Sequence, residues 1–207
     1  MNSSFFNSTF ITILISVIFI TFCFSSLLTT LSYNNNEIIL SGNSILLPEN
    51  IYFSSSKFLW PTPGFTTITS YFGYRNAPTQ GASTYHSGID IGAAEGSNII
   101  AITSGTVSYT GFYGAGGYTV TIKSDDFTIS YCHVSPTFLV HSGQYVTKGS
   151  VIATVGPKNV YGVPNNPYKD SSGNPTNGAS TGPHLHLTIK KDGKAVNPLD
   201  YISSSSS

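Results

Sequence analysis

The chain has 207 residues with nine basic and nine acidic side chains, so its formal net charge is zero, and only 9% of its residues are charged. Globular proteins average about 25% charged residues, and nucleic-acid-binding domains need a basic patch or stripe. The composition therefore excludes a strongly basic protein and argues against nucleic acid as a partner.

The first 36 residues contain no charged side chain, and the segment 10–31 is mostly apolar. A helix that crosses a bilayer needs about 20 such residues. We therefore expect a short tail (1–9) and an uncleaved single-pass membrane anchor (10–31), with the rest of the chain outside the cytoplasm. The alternative is a secreted protein with a cleaved signal, although the positively charged start of such a signal is missing.

Residues 32–57 are rich in Asn and Ser and contain two aliphatic patches, Ile38–Leu40 and Ile45–Leu47. This composition indicates a stalk with one short strand. The segment 58–201 is long enough to form one domain with its own hydrophobic core. A serine-rich tail (202–207) follows it.

The domain is predicted to be mainly β, because short runs of Ile, Val, Thr and Tyr alternate with Gly, Asn and Pro turns and no helical period persists. A helical turn is expected near 136–140. The expected strands are 66–71, 98–103, 105–109, 118–122, 128–133, 150–155 and 184–189.

The segment Ser180–Ile189 reads as a turn that runs into a strand. Side chains alternate between the two faces of a strand, so His184, His186 and Thr188 share one face, and the aliphatic residues between them share the other. Two residues along a strand span roughly 6.5 Å, so both imidazoles can serve one small site. This pattern alone does not say which of the two would bind a metal.

A second histidine motif, His86-Ser87-Gly88-Ile89-Asp90, lies upstream. A straight strand would hold His86 and Asp90 about 13 Å apart, too far for one metal ion with ligand bonds of roughly 2 Å. The chain must therefore bend between them, and Ser87-Gly88 is the pair that allows it.

The third histidine context is Cys132-His133, at the end of an alternating run. Adjacent strand residues point to opposite faces, so a Cys–His nucleophile is not expected, and Cys132 is interpreted as a small core residue. The other cysteine, Cys23, lies in the expected membrane span.

Together these motifs resemble the lysostaphin/LytM-type zinc endopeptidases that cut peptidoglycan peptides. The resemblance extends from Trp60 to about Pro198, with motifs in the family's order and spacing. They are Ile68–Arg75, His86–Ile91, Gly105–Val107, Tyr131–Ser135, Gly143–Gly149 and Thr181–His186.

The resemblance implies a mostly antiparallel, barrel-like β domain with a narrow groove. It implies that His86, Asp90 and His186 bind Zn²⁺ and that His133 and His184 are catalytic histidines. Two imidazoles and one carboxylate leave a position for water, as a catalytic zinc requires. The implied substrate is the peptide part of peptidoglycan; which bond is cut and whether a regulatory protein partner exists stay open.

Two other functions remain as alternatives. The first is a catalytically silent scaffold or activator of the same fold, but such relatives typically lack one or more of the five residues that are all present here. The second is a closed structural zinc site with His133 or His184 as fourth ligand, which leaves one histidine unexplained.

The segment 157–179 contains four prolines and little periodicity. A long loop next to a site usually forms a wall or lid, and we expect Tyr161 and Tyr168 to anchor this one. Tyr85 is the candidate for the tyrosine that assists the oxyanion in some family members. The fifth histidine, His141, is interpreted as solvated and without function.

Overall fold

The structure is a computed structural model, and it describes residues 32–34, 37–40, 43–46 and 57–202. The expected membrane span (10–31) lies outside these residues. Within the described ranges, no helix is long and apolar enough to cross a membrane.

The chain separates into two compact units, residues 1–53 and 54–207. In the first unit, three strands form an antiparallel sheet in the order β1–β2–β3. The second contains the aliphatic patch Ile38–Leu40 and the third contains Ile45 and Leu46, so this segment has three strands where the sequence indicates one. The strands are β1 (Ser32–Asn34), β2 (Glu37–Leu40) and β3 (Asn43–Leu46).

The second unit contains twelve described strands, which confirms the prediction of a mainly β, antiparallel domain. Its only regular helical elements among the described residues are two 3₁₀ turns, Gly114–Gly116 and Pro198–Asp200. The strands are β4 (Ile68–Ser70), β5 (Gly73–Tyr74), β6 (Tyr85–His86), β7 (Ile89–Ile91), β8 (Asn98–Ile100), β9 (Gly105–Phe112), β10 (Tyr118–Ser124), β11 (Phe127–Cys132), β12 (Tyr145–Val146), β13 (Val151–Thr154), β14 (Leu185–Lys191) and β15 (Lys194–Val196).

Eight of these strands form the central sheet, in the order β12–β9–β10–β11–β14–β7–β4, with β15 also paired to β14. Two small sheets, β8–β13 and β5–β6, complete the unit. All seven predicted strands are confirmed, although most have shifted boundaries. The short strands β5, β6, β7, β12 and β15 were not predicted, because two or three residues are too few to show alternation.

One face of the central sheet is apolar, and the other is polar and lines a cavity. One face carries side chains with no exposed surface and packs into the core, which also includes Ile99 and Ile152 of the small sheet β8–β13. Each such side chain contributes roughly 1.5–3 kcal/mol by leaving water. The core face of β10, β11 and β14 consists of Val120, Ile122, Ile129, Tyr131, Leu185, Leu187 and Ile189.

The predicted helical turn near 136–140 is wrong, because this segment contains bends and no helix. Phe138 and Val140 pack on the core, whereas Leu139 between them is half exposed. This every-second-residue burial is typical of extended chain and not of a helical turn.

Candidate metal centre

Strand register brings two of the predicted ligands together. β14 and β7 are antiparallel neighbours, and His186 lies directly opposite Asp90. Opposite residues of such a pair share one face of the sheet. His186 Nδ1 lies 2.8 Å from Asp90 Oδ1, so the polar face of the central sheet holds both side chains in contact.

The third predicted ligand, His86, reaches the same point through a bend. His86 ends β6 and Asp90 lies in β7, and the pair Ser87-Gly88 between them belongs to neither strand. The glycine of this pair passes so close to the Leu187 carbonyl that a Cβ would have no room. His86 Nε2 lies 3.1 Å from Asp90 Oδ1 and 2.9 Å from His186 Nδ1. The predicted bend is therefore confirmed.

The geometry of these three donor atoms fits a metal ion. Their separations are 2.8, 2.9 and 3.1 Å, whereas bonds of about 2.0–2.1 Å to a tetrahedral zinc place ligand atoms roughly 3.4 Å apart. The side chains need to separate by only a few tenths of an ångström. The described residues thus contain one His-Asp-His group that can hold a metal ion.

Hydrogen bonds behind the group fix the orientation of both imidazoles. His86 Nδ1 lies 2.8 Å from the Tyr71 carbonyl oxygen, which only accepts, so His86 presents the lone pair of Nε2 to the group. His186 Nε2 lies 2.9 Å from Thr188 Oγ1, which leaves its Nδ1 facing the group. Burial lowers the pKa of His186, favouring the neutral form that can bind a metal.

Asp90 is held from behind by a cation. Arg75 Nη1 donates to Asp90 Oδ2 at 3.0 Å and also contacts Ser70 Oγ, so Oδ1 remains directed at His86 and His186. Burial acts to raise the pKa of Asp90, but hydrogen bonds to both histidines outweigh it and hold that pKa well below its ordinary value. Sequence reasoning gave Arg75 no role, since its contact depends on the fold.

His133 lies on the same side as the group because of its backbone conformation. β11 ends at Cys132, and His133 has a φ of 59°, a left-handed conformation that is uncommon for residues other than glycine. His133 Nδ1 donates to the Asn177 carbonyl at 2.7 Å, so Nε2 is the free nitrogen. Burial, followed by the nearby His184 and His186, lowers its pKa to about 3, which keeps the ring neutral.

His184 is oriented by the same kind of contact as His133. Its Nδ1 donates to the Gly182 carbonyl at 2.8 Å, and its Nε2 lies 3.7 Å from Asp90 Oδ1. The rings of His184 and His133 are 4.6 Å apart between centroids. All four predicted histidines and Asp90 are therefore brought to one point, as a group of three and a neighbouring pair.

Cys132 is buried, as the sequence predicts, but the prediction that it lies on the opposite face from His133 is wrong. Cys132 pairs with His186 across β11 and β14 and lines the same cavity as His133. The alternation of side chains stops at His133 because its positive φ turns the ring back. Burial raises the pKa of the Cys132 thiol to about 11, so this thiol stays protonated near neutral pH and is a poor nucleophile.

The end of the 157–179 segment forms a wall beside His133. Asn177 is fully buried, and its side chain accepts from the Tyr118 amide at 2.8 Å and donates to the Val134 carbonyl at 3.0 Å. These bonds fix the backbone carbonyl that orients His133. Sequence reasoning missed Asn177, because its effect on the site comes from a main-chain oxygen.

The two tyrosines expected to anchor this segment behave differently. Tyr161 is 71% exposed and does not anchor it. The ring of Tyr168 lies against Gly81, so closely that a Cβ there would be 2.8 Å from Cε1, and its hydroxyl approaches Gly114. Tyr168 therefore contacts the segments on both sides of the site.

The five residues open onto a cavity of about 920 Å³ that runs along the polar face of the central sheet. Tyr85 lines this cavity and is 40% exposed, packed edge-on against Phe72. His141 is exposed and does not belong to the cavity lining.

Comparison with known proteins gives a family match. Residues 84–168 match Peptidase family M23. His86, Asp90 and His133 fall inside the matched range, and His184 and His186 follow it.

Three curated bacterial proteins are similar to the chain. It is 35% identical over 127 residues to an uncharacterized metalloprotease of Haemophilus influenzae, covering 60% of this chain and 22% of that protein. It is 32% identical over 136 residues to the DD-carboxypeptidase/endopeptidase Mpg of Neisseria meningitidis, covering 65% and 27%. It is 33% identical over 149 residues to the murein hydrolase activator NlpD of Escherichia coli, covering 71% and 31%.

The chain thus spans less than a third of the length of these relatives. Among solved structures, a zinc containing peptidase from Vibrio cholerae matches with a TM-score of 0.53 at 25% identity, over 68% of this chain and 39% of that one. These matches confirm the resemblance that the motifs indicate, and the chain therefore carries a domain of Peptidase family M23.

Proposed function

We propose that the chain is a zinc-dependent endopeptidase that hydrolyses peptide stems or cross-bridges of bacterial peptidoglycan. The observation that carries this proposal is the convergence of five side chains. Three donor atoms lie within 4.8 Å of one another, and two further imidazoles beside them each donate Nδ1–H to a backbone carbonyl. A structural metal site has no need of that second pair.

In this proposal His86 Nε2, Asp90 Oδ1 and His186 Nδ1 hold Zn²⁺. When bound, the ion would lower the pKa of a water molecule and polarise the scissile carbonyl. The fourth direction stays available because neither His133 nor His184 is one of the three converging donors. This donor set also matches the ligands found at catalytic zinc sites.

His133 and His184 then move the protons. Each ring has its Nδ1 proton tied to a carbonyl, so the free Nε2 atoms can accept a proton from the attacking water and return it to the leaving amine. When protonated, the same rings stabilise the negative charge that develops on the carbonyl oxygen. The backbone carbonyl behind each ring holds the proton on Nδ1, so Nε2 is the nitrogen that gains and loses a proton.

The substrate assignment is supported by the relatives, since one is named a DD-carboxypeptidase/endopeptidase and another a murein hydrolase activator. The cavity is long enough to receive several residues of an extended peptide, because it follows the strands of the central sheet for at least four residues beyond His186. Each residue advances about 3.3 Å along a strand.

The second candidate function is a catalytically silent activator of another hydrolase. The 33% identity to NlpD favours it. The presence and shared orientation of both His133 and His184 weigh against it, because a binding module needs neither a metal group nor oriented imidazoles. The two functions differ in whether the purified chain alone cleaves peptide bonds.

The proposed location is the cell membrane, with the β domain outside the cytoplasm, and secretion after signal cleavage is the alternative. The support is the uncharged, mostly apolar segment 10–31. In intact cells, external protease should degrade the β domain, while the segment 1–31 should fractionate with membranes. Protection of the domain until the cells are lysed would contradict this location.

The function is tested by incubating the purified full-length chain with peptidoglycans of different cross-link chemistry and identifying new amino ends by mass spectrometry. We expect new amino ends that disappear with a chelator, return with Zn²⁺ and are absent with the His133→Ala variant. If the chain releases none alone but increases release by a second hydrolase, the activator function is correct.

A further inference from the structure

The polar face of the central sheet extends well beyond the metal group, which consists of His86, Asp90 and His186. Antiparallel register arranges its side chains in rows across β10, β11 and β14. The first row contains Thr119, Cys132 and His186, the second contains Thr121, Ser130 and Thr188, and the third contains Lys123, Thr128 and Lys190. All nine residues line the cavity.

The third row places two cations around a hydroxyl. Thr128 lies directly opposite Lys123 on one side and Lys190 on the other. Neighbouring strands are about 4.8 Å apart, so the two lysine Cα atoms are roughly 10 Å apart. Their flexible side chains can therefore reach one anion above Thr128, at a distance of about 13 Å from His186 along β14.

The cavity is electropositive although the chain is neutral. Nine basic and nine acidic residues balance in the whole chain, but the cavity is lined by Arg75, Lys123 and Lys190 and by a single acidic residue, Asp90. Asp90 already contacts Arg75. The lysine pair thus faces the cavity with no carboxylate in its lining to balance it.

Three other lysines of the domain have internal partners. Lys158 pairs with Asp170 and Lys191 pairs with Asp126, and Lys148 donates to the Lys57 carbonyl. Within residues 57–202, neither Lys123 nor Lys190 lies within 4.0 Å of a carboxylate. Their charges remain available to a ligand.

We propose that Lys123, Thr128 and Lys190 form a carboxylate-binding subsite for the peptide substrate, three to five residues away from the bond that is cut, since an extended chain advances about 3.3 Å per residue. The proposal rests on the proposed function and specifies its substrate. The subsite would select peptide stems with a free carboxylate over amidated ones.

The test measures binding separately from cleavage. Full-length His133→Ala protein is titrated with fluorescent peptidoglycan stem peptides whose carboxylates are either free or amidated. The free form should bind about two- to fivefold tighter, the range expected for exposed ion pairs, and added salt should reduce the difference. Combining Lys123→Gln with Lys190→Gln should abolish the preference.

Lys194→Gln is the matched control, because Lys194 is an exposed strand lysine outside the cavity lining, and it should leave the preference unchanged. Equal affinity for both forms in the parent, or an undiminished preference in the double variant, would overturn the subsite. Tighter binding of poly(glycerol phosphate) than of either peptide, lost in the double variant, would also overturn the peptide assignment in favour of a phosphate polymer.

The same lysine substitutions are also made in protein that retains His133, and cleavage is measured. This experiment separates the subsite from the proposed function. The double variant should cleave amidated stems with unchanged kcat, while its KM for free-carboxylate stems rises by about two- to fivefold. A binding preference without cleavage by any variant would refute the endopeptidase function and retain the subsite.

Discussion

The two faces of β14 show how one strand serves stability and chemistry separately. Leu185, Leu187 and Ile189 have no exposed surface and pack into the core. His186 and Thr188 point to the other face. There His186 Nδ1 contacts Asp90, and His186 Nε2 contacts the Thr188 hydroxyl. Because alternate side chains of a strand have separate neighbours, substitutions on the two faces should have separable effects on stability and on metal binding or catalysis.

The largest effect is expected from the metal group itself. Asp90→Ala removes the only carboxylate of the group and leaves two imidazoles, so zinc content should fall from about one per chain to near zero. Peptide hydrolysis should disappear with it. Metal analysis of the purified full-length variant checks this, and full zinc content would show that Asp90 is not a ligand.

The next effect separates metal binding from proton transfer on the same face. His133→Ala should retain zinc, because His133 is not one of the three converging donors. Its kcat should fall by about 10²–10⁴-fold, the usual contribution of an acid–base group. Zinc loss comparable to that of Asp90→Ala would make His133 a ligand.

Much of this site could be predicted from the sequence because its key motifs are local. The spacing of His184 and His186 places both on one strand face. The separation of four positions between His86 and Asp90 requires a bend if both side chains bind one metal ion. The roles of the two histidines in His184-Leu185-His186 came from the family resemblance, because both histidines lie on the same strand face and the sequence does not distinguish them.

The rest depends on tertiary structure. The positive φ of His133 cancels the strand alternation that would place Cys132 and His133 on opposite faces, and no residue type at that position signals it. Arg75 and Asn177 act on residues 15 and 44 positions away, through contacts that only the folded sheet creates. The short strands β6 and β7 show no periodic pattern, although they carry two of the predicted ligands.

A substitution on the core face should change the stability of the protein and not its metal binding. Leu185 is fully buried, so Leu185→Ala should lower the free energy of unfolding by about 2–5 kcal/mol through lost burial and a cavity. Zinc stoichiometry of the folded fraction should remain about one. Thermal and chemical unfolding with zinc analysis measure both, and zinc loss without loss of stability would contradict the separation of the two faces.

The smallest predicted effect concerns the wall that orients His133. Asn177→Ala removes the bonds to Tyr118 and Val134 that fix the carbonyl contacting His133. We expect kcat to fall about tenfold with zinc retained, as for other residues that orient a site from behind. Asn177→Asp keeps the acceptor for Tyr118 but sets a buried carboxylate against the Val134 carbonyl, so it should lose at least as much. An unchanged kcat in the alanine variant would show that His133 needs no such support.

We propose that His186 holds the metal while His184, two residues earlier, moves protons. Calorimetric titration of Zn²⁺ into metal-free His184→Ala and His186→Ala proteins tests it most directly, with hydrolysis measured on the same samples. We predict that His186→Ala loses zinc affinity and activity together, with partial recovery of activity in excess zinc. His184→Ala should bind zinc like the parent and remain inactive at every zinc concentration. Loss of zinc binding in His184→Ala with normal binding in His186→Ala would contradict the account.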